Sequence, residues 1–142
     1  MSIKQISVFL ENKPGTLKKL TSVMAKNNID MRATSLAETK DFGIARLIVD
    51  DALEAVNTLK ENDFVASLTP VLAVEIPDEA GSLNKILKIL ADNGRNVEYM
   101  YGFTGHKSNT AYMIIRSTDI PATEEVFEKA GIHMVSEDEL LQ

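Results

Sequence analysis

The chain has 142 residues, of which 44% are hydrophobic, and it carries a formal net charge of −6 without a single cysteine. The lack of cysteine excludes disulfides, thiolate metal sites and cysteine nucleophiles. The acidic balance argues against nucleic-acid binding, which needs clustered lysine and arginine. The apolar runs are far shorter than the roughly 18 residues of a membrane span, and the N-terminus lacks the order of a signal peptide. We therefore expect a cytoplasmic protein with neither nucleic acid nor membrane as partner.

The first half of the chain predicts six elements in the order strand, helix, strand, strand, helix, strand. Alternating apolar residues predict the first strand, and leucines at helical spacing predict the first helix. The predicted ranges are Lys4 to Leu10, Thr16 to Asn27, Ile29 to Leu36, Phe42 to Val49, a helix opened by Asp50 and Asp51 that ends at Asn62, and Phe64 to Leu68. The second helix is expected to point Leu53, Val56 and Leu59 inward.

The second half repeats this order. Its predicted elements are a strand Val71 to Ile76, a helix Ser82 to Asn93, hairpin strands Val97 to Phe103 and Thr110 to Arg116, a helix Pro121 to Ala130 and a strand Ile132 to Val135. The tail, Ser136 to Gln142, is either a short helix or a fraying acidic end.

The repeated order predicts an α+β fold of two tandem ferredoxin-like βαββαβ units, each an antiparallel four-stranded sheet with both helices on one face. The domains are predicted at residues 1–69 and 70–142. Only Thr69 and Pro70 separate them, without a flexible Gly/Ser tract, so we expect the two domains to share an interface.

The turn after the first strand is the best candidate for a ligand site, and it recurs sixty-six residues later. Backbone amides at the start of a helix lack helical acceptors and lie at the positive end of the helix dipole, so they can bind a carboxylate. Glycine lets a ligand approach the backbone closely. A side-chain oxygen of Asn12 or Asp78 can accept a hydrogen bond from an ammonium group. The two turns together contribute these candidates: Asn12, Pro14, Gly15, Thr16, Leu17, Asp78, Ala80, Gly81, Ser82 and Leu83.

A purely structural interpretation of the same residues stays open. Asn12 and Asp78 are good helix N-cap residues, and Pro14 suits a first helical turn. Capping alone then explains much of the pattern.

The sheet face away from the helices is predicted to be unusually apolar. Alternation places these residues on it: Phe9, Ile44, Ile48, Val71, Ala73, Met100, Tyr112 and Ile114. We expect another sheet to cover this face, within the chain or in a homodimer. Tyr99, Tyr101 and Phe103 are predicted on the helix side, where Tyr99 or Tyr101 is a candidate to close a ligand pocket.

The segment from Ile6 to Leu17, followed by the first helix and Asn28-Ile29-Asp30-Met31, closely resembles the opening of an ACT domain, a small regulatory module of amino-acid metabolism. The second half resembles it more weakly, because Ala80 replaces the usual proline. The resemblance implies paired domains and an amino-acid effector between the strand-helix turn of one domain and an edge strand of its neighbour. It also implies a free-standing tandem module that modulates a partner, such as an amino-acid biosynthetic enzyme, with no cofactor.

Two other classes of function are weighed against this one. A ligand-free dimerisation or docking module would use the repeats without binding an effector. An enzyme on a ferredoxin-like fold would need catalytic groups, but His106 and His133 have no second ligand at metal-like local spacing, and the first loop has Lys13 but no arginine to hold a phosphate. We therefore predict neither catalysis nor a metal site.

Overall fold

The computed structural model describes residues 2–104 and 107–142. Internal contacts divide the chain into two compact units, an N-terminal unit formed mainly by Lys4–Thr69 and a C-terminal unit formed mainly by Pro70–Leu140.

The N-terminal unit is a sheet with two helices. Its elements are β1 (Ile3–Glu11), α1 (Thr16–Lys26), β2 (Met31–Glu38), β3 (Phe42–Val49), α2 (Ala52–Glu61) and the first part of β4 (Val65–Pro77). The strand order is β2-β3-β1-β4, with β3 antiparallel to both β1 and β2. This is the predicted βαββαβ arrangement.

The C-terminal unit repeats that arrangement with a reduced last strand. Its elements are the rest of β4, α3 (Ser82–Asp92), β5 (Val97–Thr104), β6 (Thr110–Ser117), α4 (Ile120–Lys129) and the short helix α5 (Glu137–Leu140). The predicted strand Ile132 to Val135 is reduced to a single bridge between Val74 and Met134. The tail forms α5 because Leu140 is buried, which holds the chain end in place.

β4 differs from the prediction of two strands separated by Thr69 and Pro70, because it is continuous from Val65 to Pro77. Proline stops a strand only where a neighbour needs its missing amide hydrogen. Pro70 lacks an amide hydrogen, but its carbonyl accepts a hydrogen bond of 2.7 Å from the Arg116 guanidinium.

The core of each unit lies between the helices and one face of the sheet. In α2 the inward residues are Ala55, Val56 and Leu59, whereas Leu53 is 57% exposed. The prediction that Leu53 points inward is wrong, because the helix begins at Ala52 and its apolar stripe runs through Ala52, Val56 and Leu59. In the C-terminal unit, α4 buries Ile120, Thr123 and Phe127.

A β-bulge reverses the predicted faces of β5. The pairing shifts between Val97, which lies opposite Ser117, and Tyr99, which lies opposite Arg116, so two residues of β5 occupy the space of one on β6. Met100 therefore lies in the helix-side core, and Tyr99, Tyr101 and Phe103 lie on the opposite face. The predictions for these four residues are wrong. The N-terminal unit has an equivalent bulge between Met31 and Ala33 in β2.

The other residues predicted on the face away from the helices do lie there. In the N-terminal unit these are Phe9, Ile44 and Ile48, and Phe9 remains 47% exposed. In the C-terminal unit they are Val71, Ala73, Tyr112 and Ile114, and all four are buried. Covering of this face by a homodimer stays a prediction.

Candidate functional site

Glycine shapes both strand-helix turns. Gly15 has φ +87° and Gly81 has φ +92°, which is the left-handed region that other residues enter only with strain. Each glycine is the N-cap of its helix, and neither α1 nor α3 has a side-chain cap. The alternative that Asn12 and Asp78 cap these helices is therefore wrong, because both lie three residues upstream of the N-cap.

Asn12 and Thr16 brace the first turn from within. The side-chain nitrogen of Asn12 donates to the carbonyl of Thr39 at 2.9 Å, which ties the turn to the β2–β3 hairpin. The hydroxyl of Thr16 contacts the carbonyls of Glu11 at 2.9 Å and Lys13 at 3.0 Å. Since the Asn12 nitrogen is engaged by the hairpin, its amide oxygen is the atom that can accept from a ligand ammonium group.

The start of α1 presents unused hydrogen-bond donors. The first helical bond runs from the amide of Lys19 to the carbonyl of Gly15 at 3.0 Å, and the amide of Thr16 reaches back to Lys13 at 3.4 Å. Within the described part of the chain, the amides of Gly15, Leu17 and Lys18 have no acceptor. These three donors lie at the positive end of α1, where an anion is stabilised.

A cavity of about 520 Å³ opens beside this turn, within the N-terminal unit. Its residues are Phe9, Leu10, Glu11, Lys13, Pro14, Gly15, Thr16, Lys19, Phe42, Asp63, Phe64 and Val65. The rings of Phe9 and Phe42 pack together at 4.9 Å between centroids and form an apolar wall. The cavity therefore places aromatic rings, both signs of charge and a helix start around one space.

The charges at this cavity come in both signs. Lys13 forms an ion pair of 2.8 Å with Glu11, and its hydrogen bond and charge lower the pKa of the Glu11 carboxyl below its ordinary value. Asp63 and Lys19 add a second carboxylate and a second ammonium to the lining. Such a set suits a zwitterion, because each end of the ligand can contact a charge of opposite sign.

A smaller cavity of about 140 Å³ also touches the turn. Asn12, Leu17, Leu36 and Gly43 are among its lining residues, and Leu17 is exposed there. The candidates Asn12, Gly15, Thr16 and Leu17 thus all border open space next to the start of α1.

The second turn repeats the backbone of the first but has different neighbours. The amide of Lys85 bonds to the carbonyl of Gly81 at 3.1 Å, which matches the first turn. Asp78, Ala80 and Gly81 are exposed, whereas Ser82 is buried and Leu83 is half-buried. In the equivalent strand positions, Glu75 replaces Phe9 and His133 replaces Val65, so the apolar wall has no counterpart at those two positions.

The profile of the ACT domain pair family matches residues 1–142. The chain belongs to the ACT domain pair family. A search of curated proteins gave no match. The crystal structure of protein BT0572 from Bacteroides thetaiotaomicron is 38% identical, with a TM-score of 0.93 over 100% of this chain and 97% of that one.

Two structures of lower identity share the fold. The ligand-free regulatory subunit of aspartate kinase from Thermus thermophilus is 21% identical, with a TM-score of 0.63 over 89% of this chain and 91% of that one. The regulatory subunit of aspartate kinase from Thermus flavus is 19% identical, with a TM-score of 0.62 over 90% of this chain and 92% of that one.

Among the described residues of this ACT domain pair, no helix is both long and apolar enough to cross a membrane.

The ACT domain pair places Tyr99 and Tyr101 away from the turn of their own unit. Both lie on β5, and β6 separates β5 from β4, which leads into that turn. Within the C-terminal unit, Tyr99 and Tyr101 are therefore not on a strand next to the one that leads to Gly81. A role for either tyrosine in a ligand site stays a prediction. His106 lies outside the described residues.

Four of the twelve residues that line the larger cavity lie far from the turn in sequence and were not predicted as site residues. They are Phe42 in β3, Asp63 and Phe64 in the connection between α2 and β4, and Val65 at the start of β4. A signal was available, because β3 lies beside β1 in this fold and Phe42 lies opposite Glu11. The pairing of β1 with β3 thus points to Phe42 once the register is known.

Proposed function

We propose that this ACT domain pair binds a free amino acid and regulates a partner protein, and that the turn between β1 and α1 is the receptor. The observation that carries the proposal is the cavity of about 520 Å³ at this turn, with its paired charges and aromatic wall; Gly15 borders both this cavity and the smaller one, where Leu17 and Lys18 supply the other free amides. Its size lies within the range of about 300–1,000 Å³ that small-molecule pockets have.

In this proposal each part of the amino acid has its own place beside the turn. The α-carboxylate accepts hydrogen bonds from the amides of Gly15, Leu17 and Lys18, because these donors lie at the positive end of α1. The ammonium group contacts the Glu11 or Asp63 carboxylate or the amide oxygen of Asn12. The side chain packs against Phe9, Phe42 and Phe64, so the preferred ligand has an apolar side chain.

The free energies expected from these contacts are too small for tight binding by one copy of the chain. A helix end contributes up to about 2 kcal/mol to anion binding, and burying an apolar side chain contributes about 1.5–3 kcal/mol. Micromolar affinity needs about −8 kcal/mol. We therefore propose that a second copy of the chain supplies further contacts in a homodimer, as the ACT resemblance implies.

The proposed partner is an enzyme of amino-acid biosynthesis in the cytoplasm. Structures with this fold include regulatory subunits of aspartate kinase, and this analogy of fold supports a regulatory role rather than a catalytic one. We propose that the chain itself catalyses no reaction, and that it uses neither an organic cofactor nor nucleic acid.

A thermal-shift screen of the purified protein against the twenty amino acids tests the proposal. An amino acid at 100 times its dissociation constant is expected to stabilise the fold by about 2.7 kcal/mol. Leucine, isoleucine, valine, methionine or phenylalanine is expected to give the largest rise in Tm, and aspartate and lysine should give little. A uniform absence of any rise would contradict amino-acid binding.

A second candidate function, a docking or dimerisation module without an effector, is favoured by the exposed apolar side chains of the N-terminal unit. Val65 is 69% exposed, and Phe9, Phe42 and Leu36 are also exposed. Apolar side chains gathered near one turn are typical of a surface that another protein covers. This function predicts concentration-dependent self-association together with a flat thermal-shift screen.

A further inference from the structure

The two units differ in chemistry at equivalent positions beside their turns. The amide of Phe64 bonds to the carbonyl of Leu59 at 3.0 Å, and the amide of Ile132 bonds to that of Phe127 at 3.0 Å. These matching bonds make Val65 and His133 equivalent. Phe9 and Glu75 are equivalent because each lies six residues before the glycine of its turn, Gly15 or Gly81. Where the N-terminal unit has the apolar residues Phe9 and Val65, the C-terminal unit therefore has Glu75 and His133.

The short helix α5 brings a third polar group to this pair. Both carboxylate oxygens of Glu139 lie close to Nε2 of His133, at 2.8 Å and 3.1 Å. One ligand atom from each of Glu75, His133 and Glu139 lies within 4.8 Å of the other two. The three side chains come from β4, from the segment bridged to it and from α5, so they converge from separate parts of the chain.

Backbone contacts hold the three residues in position. The amide of Glu75 donates to the carbonyl of His133 at 3.1 Å, which fixes these two residues side by side. The amide of Glu139 donates to the Ser136 hydroxyl at 3.2 Å, and the buried Leu140 anchors α5. Glu75 therefore lies in β4 and Glu139 in α5, and the backbone hydrogen bond to Glu75 holds His133, which lies in neither a strand nor a helix.

Within the described residues, the Glu75 carboxylate has an ion pair at one oxygen and no partner at the other. Its side chain is only 15% exposed, and its nearest cation within the described residues, Lys107, lies 3.9 Å from Oε1. The other oxygen, Oε2, is buried and has no hydrogen-bond partner in the part of the chain that the structure describes. A carboxylate removed from water requires a compensating positive charge.

We propose that Glu75, His133 and Glu139 form a site for a divalent transition-metal ion, with Zn²⁺ as the preferred ion. Imidazole and carboxylate are ordinary zinc ligands, with metal-ligand distances of about 2.0–2.2 Å. Ligand atoms on one tetrahedral zinc therefore lie about 3.3 Å apart, which side-chain rotation of Glu75 and Glu139 can reach. Three protein ligands leave one coordination position open to solvent. Mg²⁺ is disfavoured, because it prefers oxygen ligands alone.

The proposed Zn²⁺ site is distinct from the proposed amino-acid receptor, because its three ligands lie in the C-terminal unit and the receptor lies in the N-terminal unit. In the metal-free protein His133 bonds to Glu139, and in the metal-bound protein both ligate the ion, so binding exchanges one contact for another. Zinc binding is expected to stabilise the C-terminal unit, since the ion links α5 to β4.

Titration of chelator-treated protein with Zn²⁺, by calorimetry and by thermal shift, tests the site. One Zn²⁺ per chain and a raised Tm are expected, with no comparable effect of Mg²⁺. Co²⁺ as a probe should give visible absorption bands of a nitrogen and oxygen ligand set. His133→Val, which installs the residue of the N-terminal unit, and the isosteric Glu75→Gln should each weaken Zn²⁺ binding by more than about 100-fold, since even outer-shell changes cost 10–100-fold.

The matched control is Glu125→Gln, which removes an exposed carboxylate that is paired with Lys129 on α4. It should leave the Zn²⁺ affinity and stoichiometry unchanged. Zinc binding of equal strength in the wild type, His133→Val and Glu75→Gln would overturn the proposal, as would a wild-type protein that binds no Zn²⁺. The Tm of each metal-free variant separates lost binding from lost folding.

Discussion

Replacing Gly15 with alanine is expected to weaken amino-acid binding by about thirty-fold. The residue has φ +87°, so a Cβ strains the helix start and displaces the amides that hold the carboxylate. Loss of the full helix-end contribution of up to about 2 kcal/mol corresponds to this factor. Apart from Gly15 and its two chain neighbours, no atom of the described residues lies within 4 Å of the added Cβ, so the variant should still fold. Calorimetric titration with the amino acid that gives the largest thermal shift measures the change.

The matched control for this variant is Gly131→Ala in the C-terminal unit. Gly131 has φ +73°, and among the described residues beyond its chain neighbours it likewise leaves open space for a Cβ, but it follows α4 instead of opening a helix. It should lose similar stability and retain the ligand affinity of the wild type. Equal losses of affinity in the two variants would show that general strain, not the first turn, controls binding.

Replacing Leu59 with alanine is expected to lower the free energy of unfolding by about 2–5 kcal/mol. Leu59 is fully buried in the core of the N-terminal unit, where α2 packs against the sheet. The loss combines the apolar surface no longer buried with the cavity that the smaller side chain leaves. Urea unfolding followed by circular dichroism measures the difference.

Leu53→Ala on the same helix is the control for Leu59→Ala. Leu53 is 57% exposed, so its truncation should change stability by less than about 0.5 kcal/mol. A cost for Leu53→Ala as large as that for Leu59→Ala would mean that the face assigned to α2 is incorrect.

Local patterns predicted most of the fold. Alternating residues in β1 and β3 and the leucine spacing in α1 predicted these elements, and β3 was predicted with its observed bounds, Phe42–Val49. The internal repeat predicted the second unit, and the resemblance of Ile6 to Leu17 identified the family. These features are encoded over short stretches, so a single sequence suffices to find them.

The errors arose where long-range contacts override local pattern. The bulge after Val97 depends on how β5 pairs with β6, and it reversed the faces predicted for Met100 and Tyr99. The last predicted strand is reduced to one bridge, after which the chain forms α5. For the same reason the proximity of His133 to Glu75 could not be found from local spacing.

The candidate site was predicted in part. The turn residues Asn12, Gly15, Thr16 and Leu17 border the cavities beside α1, as the helix-end argument suggested. The aromatic wall was missed, because Phe42 and Phe64 reach the turn only through strand pairing and through the end of α2. The function of these residues stays a proposal.

The most direct test is an amide NMR titration of the isotope-labelled protein with l-leucine and l-phenylalanine. The amide resonances of Gly15, Leu17 and Lys18 are expected to shift together and to saturate with one dissociation constant, because these groups hold the ligand carboxylate. If the ligand shifts other resonances while those three stay unchanged, the first turn is not the receptor.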